Sequence, residues 1–365
     1  MATSNTLPTL KISFEAAAQA VANRSKKGYV ALLLRDAEAQ GLHVLTGETL
    51  IPSALGEKNK AVIRSALQGS DRGGPSRVYI SVIAPGTEDT TALQAGLKAL
   101  ETVSIDYIAP PTDATEEELT LMAEWVKTQR ALYRTVKLVQ PLGETGSDNM
   151  GIIDLSETGL ATAAGSVTAG EYCPRLAGIL AGIPMGMSAT YAALPELTAV
   201  TKRSIEEQTE AIGAGQLIFL HDGLQAKIAR AVNSLTTIPE NGKEDWTKIK
   251  IVEGMDLVTY YLRSTIENEY LGRYPNTYDN KQLLISAISD YLSYLERSGV
   301  LESGESYAGI DYDAQLKWLA EQGVDTTTMT EQQVLEYQTG SFVFIRCGGR
   351  LLDAMEDFEV LFETV

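Results

Sequence analysis

Both ends of this chain carry a strict alternation of apolar and polar residues. Near the start, Leu10, Ile12, Phe14 and Ala16 alternate with Thr9, Lys11, Ser13 and Glu15. A period of two marks a strand with one buried face, and Pro8 suits a strand start. The run Ala16–Ala20 would equally suit a helix, so the end of this strand stays open. No adjacent hairpin turn supplies it with a partner. At the other end Phe358, Val360 and Phe362 alternate with Glu359, Leu361 and Glu363, again a one-sided strand running to Val365.

Between these ends the pattern predicts layered α/β structure. Tyr29–Leu34 is a near-continuous apolar run, as in a strand covered on both faces. A helix over Glu57–Leu67, a strand over Arg77–Ile83, a helix over Thr90–Leu100 and a short strand over Tyr107–Ala109 follow. Thr115 opens the next helix, with Glu118 completing a capping box and Leu119, Met122 and Val126 forming its apolar stripe. Thr135–Gln140 is another strand. This alternation predicts an α/β layer domain over residues 23–155. The Gly-, Ser- and Thr-rich stretch Leu142–Gly170 is read as the boundary to a second domain, residues 156–352.

That second domain reads as mixed sheet and helix. Tyr172–Gly182 and Ser204–Ile212 suit helices, and Gln216–His221 and Leu224–Ala231 suit strands joined at Asp222-Gly223, a hairpin signal. Two long amphipathic helices carry Met255, Val258, Leu262 and Ile266, then Leu284, Ile288, Tyr291, Leu292 and Leu295. Shorter helices over Asp313–Glu321 and Glu331–Tyr337 precede a strand over Ser341–Arg346. The fold class expected is α/β (α+β), with extended strand arms over 1–22 and 353–365. Ala16–Ala22 and Asp353–Asp357 would be the hinges of those arms.

Composition narrows the function. The 365 residues are 44% hydrophobic and 21% charged, enough to build a core without metal or disulfide staples. A formal charge of -18 repels phosphate and argues against a nucleic-acid partner. Cys173 and Cys347 form neither a metal-ligand spacing nor a disulfide framework, which fits a reducing cytoplasm. Met1–Leu7 lacks the apolar core of a signal peptide, and Leu176–Met187 is too short to span a bilayer, so no membrane role is expected. His43 and His221 lack a metal-like spacing. Gly213-Ala214-Gly215 follows a helix instead of a strand, the wrong order for a dinucleotide loop, and Gly348-Gly349 lacks the residues of a P-loop. No catalytic residue, metal site or cofactor is therefore assigned.

A series of motifs resembles one family. Lys227–Thr237, then Lys248–Val252 and a helix through Asp256, then Tyr270-Leu271-Gly272-Arg273 and Asn276–Lys281, are similar to the core of the C-terminal domain of phage tail sheath proteins. Leu7–Phe14 resembles the sheath N-terminal arm, Arg24–Leu34 the entry to the first domain, and Leu352–Asp357 the approach to the C-terminal arm. The likeness covers nearly the whole chain and is nearest to compact sheaths of Gram-positive phage-like tails and tailocins. The large inserted outer domains of bigger sheaths are missing.

The resemblance implies a structural subunit, made in a bacterial host cytoplasm and assembled in a virion tail or phage-tail-like particle. Its partners would be further copies in stacked six-fold rings, a tail tube protein, and baseplate and terminator proteins. Contraction would drive the tube through a target envelope. A lone edge strand leaves backbone groups unpaired and favours pairing with another chain. By pattern alone the terminal strands could pair within their own chain or between chains; the resemblance favours exchange between chains. Leu10, Ile12 and Phe14 would then be the buried face of one arm, and Phe358, Val360 and Phe362 that of the other. The recipient sheet would include Phe342 and Phe344, and Lys26, Lys27, Arg263 and Arg273 are candidate inter-subunit charges. The competing readings are a soluble α/β enzyme, suggested by the first domain, and a tube or baseplate protein, disfavoured by the helix content.

Overall fold

The computed structural model describes residues 28–86 and 90–364. Leu10, Ile12, Phe14, Lys26 and Lys27 lie outside this range. The described residues divide into two units, one of 28–253 with 353–364 and one of 254–352.

In the larger unit the strands are β1 (Tyr29–Arg35), β2 (Gly41–Leu45), β3 (Arg77–Ile83), β4 (Tyr107–Ala109), β5 (Lys137–Pro141) and β6 (Ile152–Leu155). Two short antiparallel sheets follow. They are built from β7 (Leu160–Thr162), β8 (Gly165–Val167), β9 (Ala193–Leu194) and β10 (Leu197–Ala199), then β11 (Gln216–Leu217), β12 (Phe219–His221) and β13 (Ala226–Ile228), with β11 excepted. β11 joins the main seven-stranded sheet, whose order is β11-β6-β5-β4-β1-β3-β2. All its pairings are parallel except β2 with β3.

The continuous apolar run of β1 is explained by this position. Val30, Leu32 and Leu34 face one core, with α1 (Glu57–Gln68) and α4 (Ala169–Gly182). Ala31 and Leu33 face a second core, with α2 (Thr91–Leu100) and α3 (Glu116–Ala131). A central parallel strand is buried on both sides, so it has no polar face to show. Gly178 lets α4 lie against α1: a Cβ there would stand 2.0 Å from the Ala66 carbonyl oxygen.

The expected boundary near residue 155 is corrected by the sheet. β6 lies on one side of it and β11 on the other, yet they pair in register through Asp154–Gln216 and Leu155–Leu217. The Gly-, Ser- and Thr-rich stretch is spent on turns and on the β7–β8 hairpin, not on a linker. The predicted strand Gln216–His221 is split: its first half extends the main sheet, and its second half pairs with β13 across a loop at Asp222–Gln225. The units divide instead at Glu253/Gly254 and Leu352/Asp353.

The unit of 254–352 contains the C-terminal part of α6 (Ile249–Thr265), a π-helical turn over Ile266–Tyr270, and α7 (Tyr278–Arg297). It also holds α8 (Tyr312–Glu321), α9 (Glu331–Glu336) and the strands β14 (Tyr307–Ile310) and β15 (Ile345–Gly348). α5 (Ile205–Gly213) belongs to the larger unit. Met255, Val258, Leu262, Leu284, Ile288, Leu292 and Leu295 are buried, as their helical spacing predicts.

Omitting the edge strand β2, β3-β1-β4-β5-β6 is the flavodoxin-like order, in which ligands sit in the crevice where the order reverses. Here the reversal lies between β1 and β4, and the protein's own side chains occupy it. The Arg35 guanidinium, at the end of β1, bonds Glu118 and Asp113, and its Nε donates to the Gly86 carbonyl at 3.0 Å. Glu118 is the capping-box residue anticipated from sequence; its other oxygen accepts the Thr115 N–H at 3.0 Å.

Two predictions follow from these contacts. The side chains of Arg35 and Glu118 are 7% and 2% exposed. Glu118→Ala removes one of the two carboxylates on this buried cation and should cost about 1.5–3 kcal/mol of unfolding free energy in a urea titration, Asp113 remaining as a partner. Asp148, in the loop between β5 and β6, accepts from the Thr236 and Thr237 amides at 2.7 and 2.8 Å and from the Thr236 hydroxyl at 3.0 Å. Hydrogen bonds from Thr237, then Thr236, hold its carboxyl well below the ordinary range. A depressed pKa gives stability that is full above the unfolded value, about 3.9, and drains away as pH falls from there through the folded value. Asp148→Asn should therefore destabilise by about 1 kcal/mol at neutral pH, a figure kept low by the residue's exposure. The gap from the unsubstituted chain should narrow as melts are run at pH below about 4.

Candidate inter-subunit surfaces

The first surface is the C-terminal segment. From Leu352 to Thr364 no residue is in a strand or helix. Phe358, Val360 and Phe362 are 73%, 82% and 83% exposed, and Leu361 and Met355 are exposed as well. The alternation predicted a strand, and among the described residues the segment has no ladder partner to make one. Large apolar side chains this exposed in a row are uncommon on a folded surface and mark an interaction site.

The root of the segment is held by charge. Asp353 bonds the Lys248 ammonium. Asp357 bonds the Arg230 guanidinium, and Glu356 stands 3.6 Å from the same group. Burial works against the Lys248 cation, but the hydrogen bond to Asp353 and the fields of Asp353, Glu356 and Asp245 outweigh it and raise its pKa. Burial pulls Lys250 below the ordinary lysine value, against the fields of Asp353 and Glu356. Lys248 and Lys250 stand around the start of α6. A few residues further on, Glu253 pairs with the buried Lys137 of β5 at 2.8 Å, and that ammonium also lies over the Tyr107 ring. The expected hinge Asp353–Asp357 is thus a docked segment in the subunit.

The second surface is the ribbon β14–β15. The two strands pair antiparallel, from Tyr307 opposite Gly348 to Ile310 opposite Ile345, and a bridge between Leu301 and Leu351 continues the contact. Among the described residues neither strand has a second neighbour, so both outer edges present unpaired backbone groups.

Phe342 and Phe344 lie just ahead of β15, not within the predicted strand Ser341–Arg346. The reason is local. The Asn276 amide donates to the Gly340 and Phe342 carbonyls at 2.8 and 2.9 Å, and the Thr339 hydroxyl also donates to Phe342, so side chains take the groups a ladder would use. Phe344 begins the pairing, its carbonyl accepting from the Asp311 amide at 3.0 Å. Phe342, Phe344 and Trp318 of α8 form an aromatic cluster with centroids 5.8–6.3 Å apart. Phe342 is 50% exposed, so one side of the cluster is open.

The motifs singled out in the sequence fasten these parts. In Asn276–Lys281, Asn276 holds the Phe342 segment and the Thr277 hydroxyl caps α7 by accepting the Asn280 amide at 3.3 Å. Lys281 is buried, its ammonium 3.3 Å from both Gln315 and Thr339. Burial lowers its pKa. In Lys227–Thr237, Arg230 holds the arm root, Asn233 donates to the Trp246 carbonyl at 2.7 Å, and Thr236 and Thr237 bind Asp148.

Of the candidate inter-subunit charges, Arg263 is engaged within its own helix by Glu267 at 2.8 Å. Arg273 is exposed, and among the described residues no ion pair holds it. The anion ties at Arg230 and Lys248 were not anticipated: their partners lie more than 100 positions away in sequence.

Comparison with known proteins agrees with this architecture. Residues 86–234 match the phage tail sheath protein central domain, and residues 242–363 match the phage tail sheath C-terminal domain. The chain is 33% identical over 359 residues to a tail sheath protein of Clostridium phage phiCD119, covering 97% of this chain and 98% of that one. The crystal structure of a sheath tail protein from Desulfitobacterium hafniense superposes with a TM-score of 0.67 at 16% identity, over 83% of this chain and 94% of the other. The contracted helical sheath of the anti-feeding prophage gives a TM-score of 0.65 at 15% identity, over 99% and 100%. With a curated relative matched end to end and both sheath domains in sequence order, the chain belongs to the phage tail sheath protein family, a family of structural proteins.

Proposed function

We propose that this chain is the repeating subunit of a contractile tail sheath, joined to its neighbours by strand exchange. The observation that carries this reading is the pairing of a need with a vacancy. An apolar arm is exposed at Phe358–Phe362, and among the described residues a two-stranded ribbon has no further strand on either edge. Adding the arm of one copy to the ribbon of another satisfies both: backbone bonds give affinity, and alternate side chains fix register. Phe358, Val360 and Phe362 would face the core side of the recipient sheet, beside the open cluster of Phe342, Phe344 and Trp318. The second edge is left for the N-terminal arm and its Leu10, Ile12 and Phe14.

Burying three such side chains is worth about 5–9 kcal/mol. Ordering the five residues Phe358–Phe362 costs about 5–10 kcal/mol of backbone entropy. One arm is therefore nearly neutral by itself, and a stable fabric needs many arms closing together. Six-fold rings stacked around a tail tube, capped by baseplate and terminator proteins, provide that multiplicity. Contraction would move whole subunits while the exchanged strands stay paired. The subunits would be made in the host cytoplasm and act in a virion tail or phage-tail-like particle. Arg273, and Lys26 and Lys27 of the N-terminal segment, would meet acidic surfaces of neighbouring copies in a chain of net charge -18.

Deleting residues 358–365 should leave subunits that melt as the full chain does, since these side chains contribute no core. The same deletion should abolish tubules and ring stacks in negative-stain microscopy. Full-length protein that stays monomeric at high concentration, with and without tube protein, would overturn the reading. Phe342→Ala should cost the isolated subunit no more than about 1 kcal/mol, because half of the ring is already in water. Its assembly should nevertheless weaken, measured as a higher critical concentration in sedimentation.

A further inference from the structure

We propose that Arg230 and Lys248 form an electrostatic latch that holds the root of the C-terminal arm and so regulates how readily a subunit joins the sheath. The inference rests on the strand-exchange reading and concerns a step before exchange, the presentation of the arm. Three acids within five residues, Asp353, Glu356 and Asp357, meet two cations from distant parts of the larger unit, Lys248 and Arg230. Immediately beyond them the chain is released into solvent, beginning with Phe358. The docked root and the free strand are thus divided at a single peptide, between Asp357 and Phe358.

The division matters because the arm's gain and its ordering cost nearly cancel. An arm whose root already points in one direction has fewer conformations to lose on capture, and preorganisation of this kind raises affinity without adding contacts. The latch's two close ion pairs, Asp353 with Lys248 and Asp357 with Arg230, are partly exposed, so dissolved salt weakens them. Apolar strand addition has the opposite sensitivity: it does not weaken as salt rises and strengthens with excluded salts. Salt therefore separates the two steps.

The test uses the full chain with the neutral, isosteric arm-side changes Asp353→Asn, Glu356→Gln and Asp357→Asn together. The side chains of Asp353 and Glu356 are 19% and 7% exposed, so some loss of stability is expected, and the chains are compared at a temperature where melts show both fully folded. A fluorophore attached after Val365 should show lower anisotropy in the triple variant than in the unsubstituted chain, measured on dilute, unassembled subunits. Assembly followed by light scattering should be slower by a factor on the order of ten. Raising sodium chloride should slow the unsubstituted chain towards the variant's rate and leave the variant's rate unchanged. Arg230→Glu should slow assembly as well, and adding Glu356→Arg and Asp357→Arg to it should restore the rate. Equal anisotropy and equal assembly rates in variant and parent would overturn the latch, as would failure of the swapped charges to restore a folded Arg230→Glu subunit. Deletion of 358–365 keeps the two ideas apart. If assembly survives that deletion, strand exchange fails; if it is lost while the neutral variant assembles normally, only the latch fails.

Discussion

Apolar side chains that the subunit cannot cover govern this molecule. Phe358, Val360 and Phe362 stand in water, and each would gain about 1.5–3 kcal/mol by burial. No rearrangement of a seven-stranded sheet already covered on both faces offers them room. Among the described residues the ribbon β14–β15 has the complementary deficit, two edges without a neighbouring strand. Under the proposed reading, association with further copies is what would cover these side chains.

The rest of the architecture is arranged to keep those parts in place. A flavodoxin-like strand order usually leaves a crevice for a ligand at its reversal point. In this chain Arg35, Glu118 and Asp113 close it, and the α/β unit serves as a firm body. The loops of that body are tied by side chains reaching across long sequence separations, such as Asp148 to Thr236 and Thr237. The family motifs prove to be fasteners of this kind.

Much of the fold was legible because burial imposes its period directly. β1, β3 and β4 lie where continuous apolar runs placed them, and α3 begins at the capping box of Thr115 and Glu118. β6 was missed because it is four residues long, sits in a Gly- and Ser-rich stretch, and carries the buried Asp154. That carboxylate is tolerated only because Gln140 and Ser147 bond it, and burial still raises its pKa. No local pattern shows such compensation. The same blindness hid the boundary between units, since a turn-rich stretch reads alike whether it links two bodies or decorates one. The phenylalanines of the C-terminal segment were visible from alternation alone, whereas the ion pairs at its root depend on Arg230 and Lys248, far away along the chain.

One further consequence comes from where the chain crosses between its units. It leaves the larger unit after Glu253 and returns at Asp353, and the bond between Lys248 and Asp353 ties the outgoing and returning paths together. Residues 254–352 are therefore an insert whose two covalent attachments share one footing. Tension on the insert divides between two peptide segments instead of unpeeling either. The stretch between them can also be lengthened or shortened over generations without rethreading the sheet that carries it.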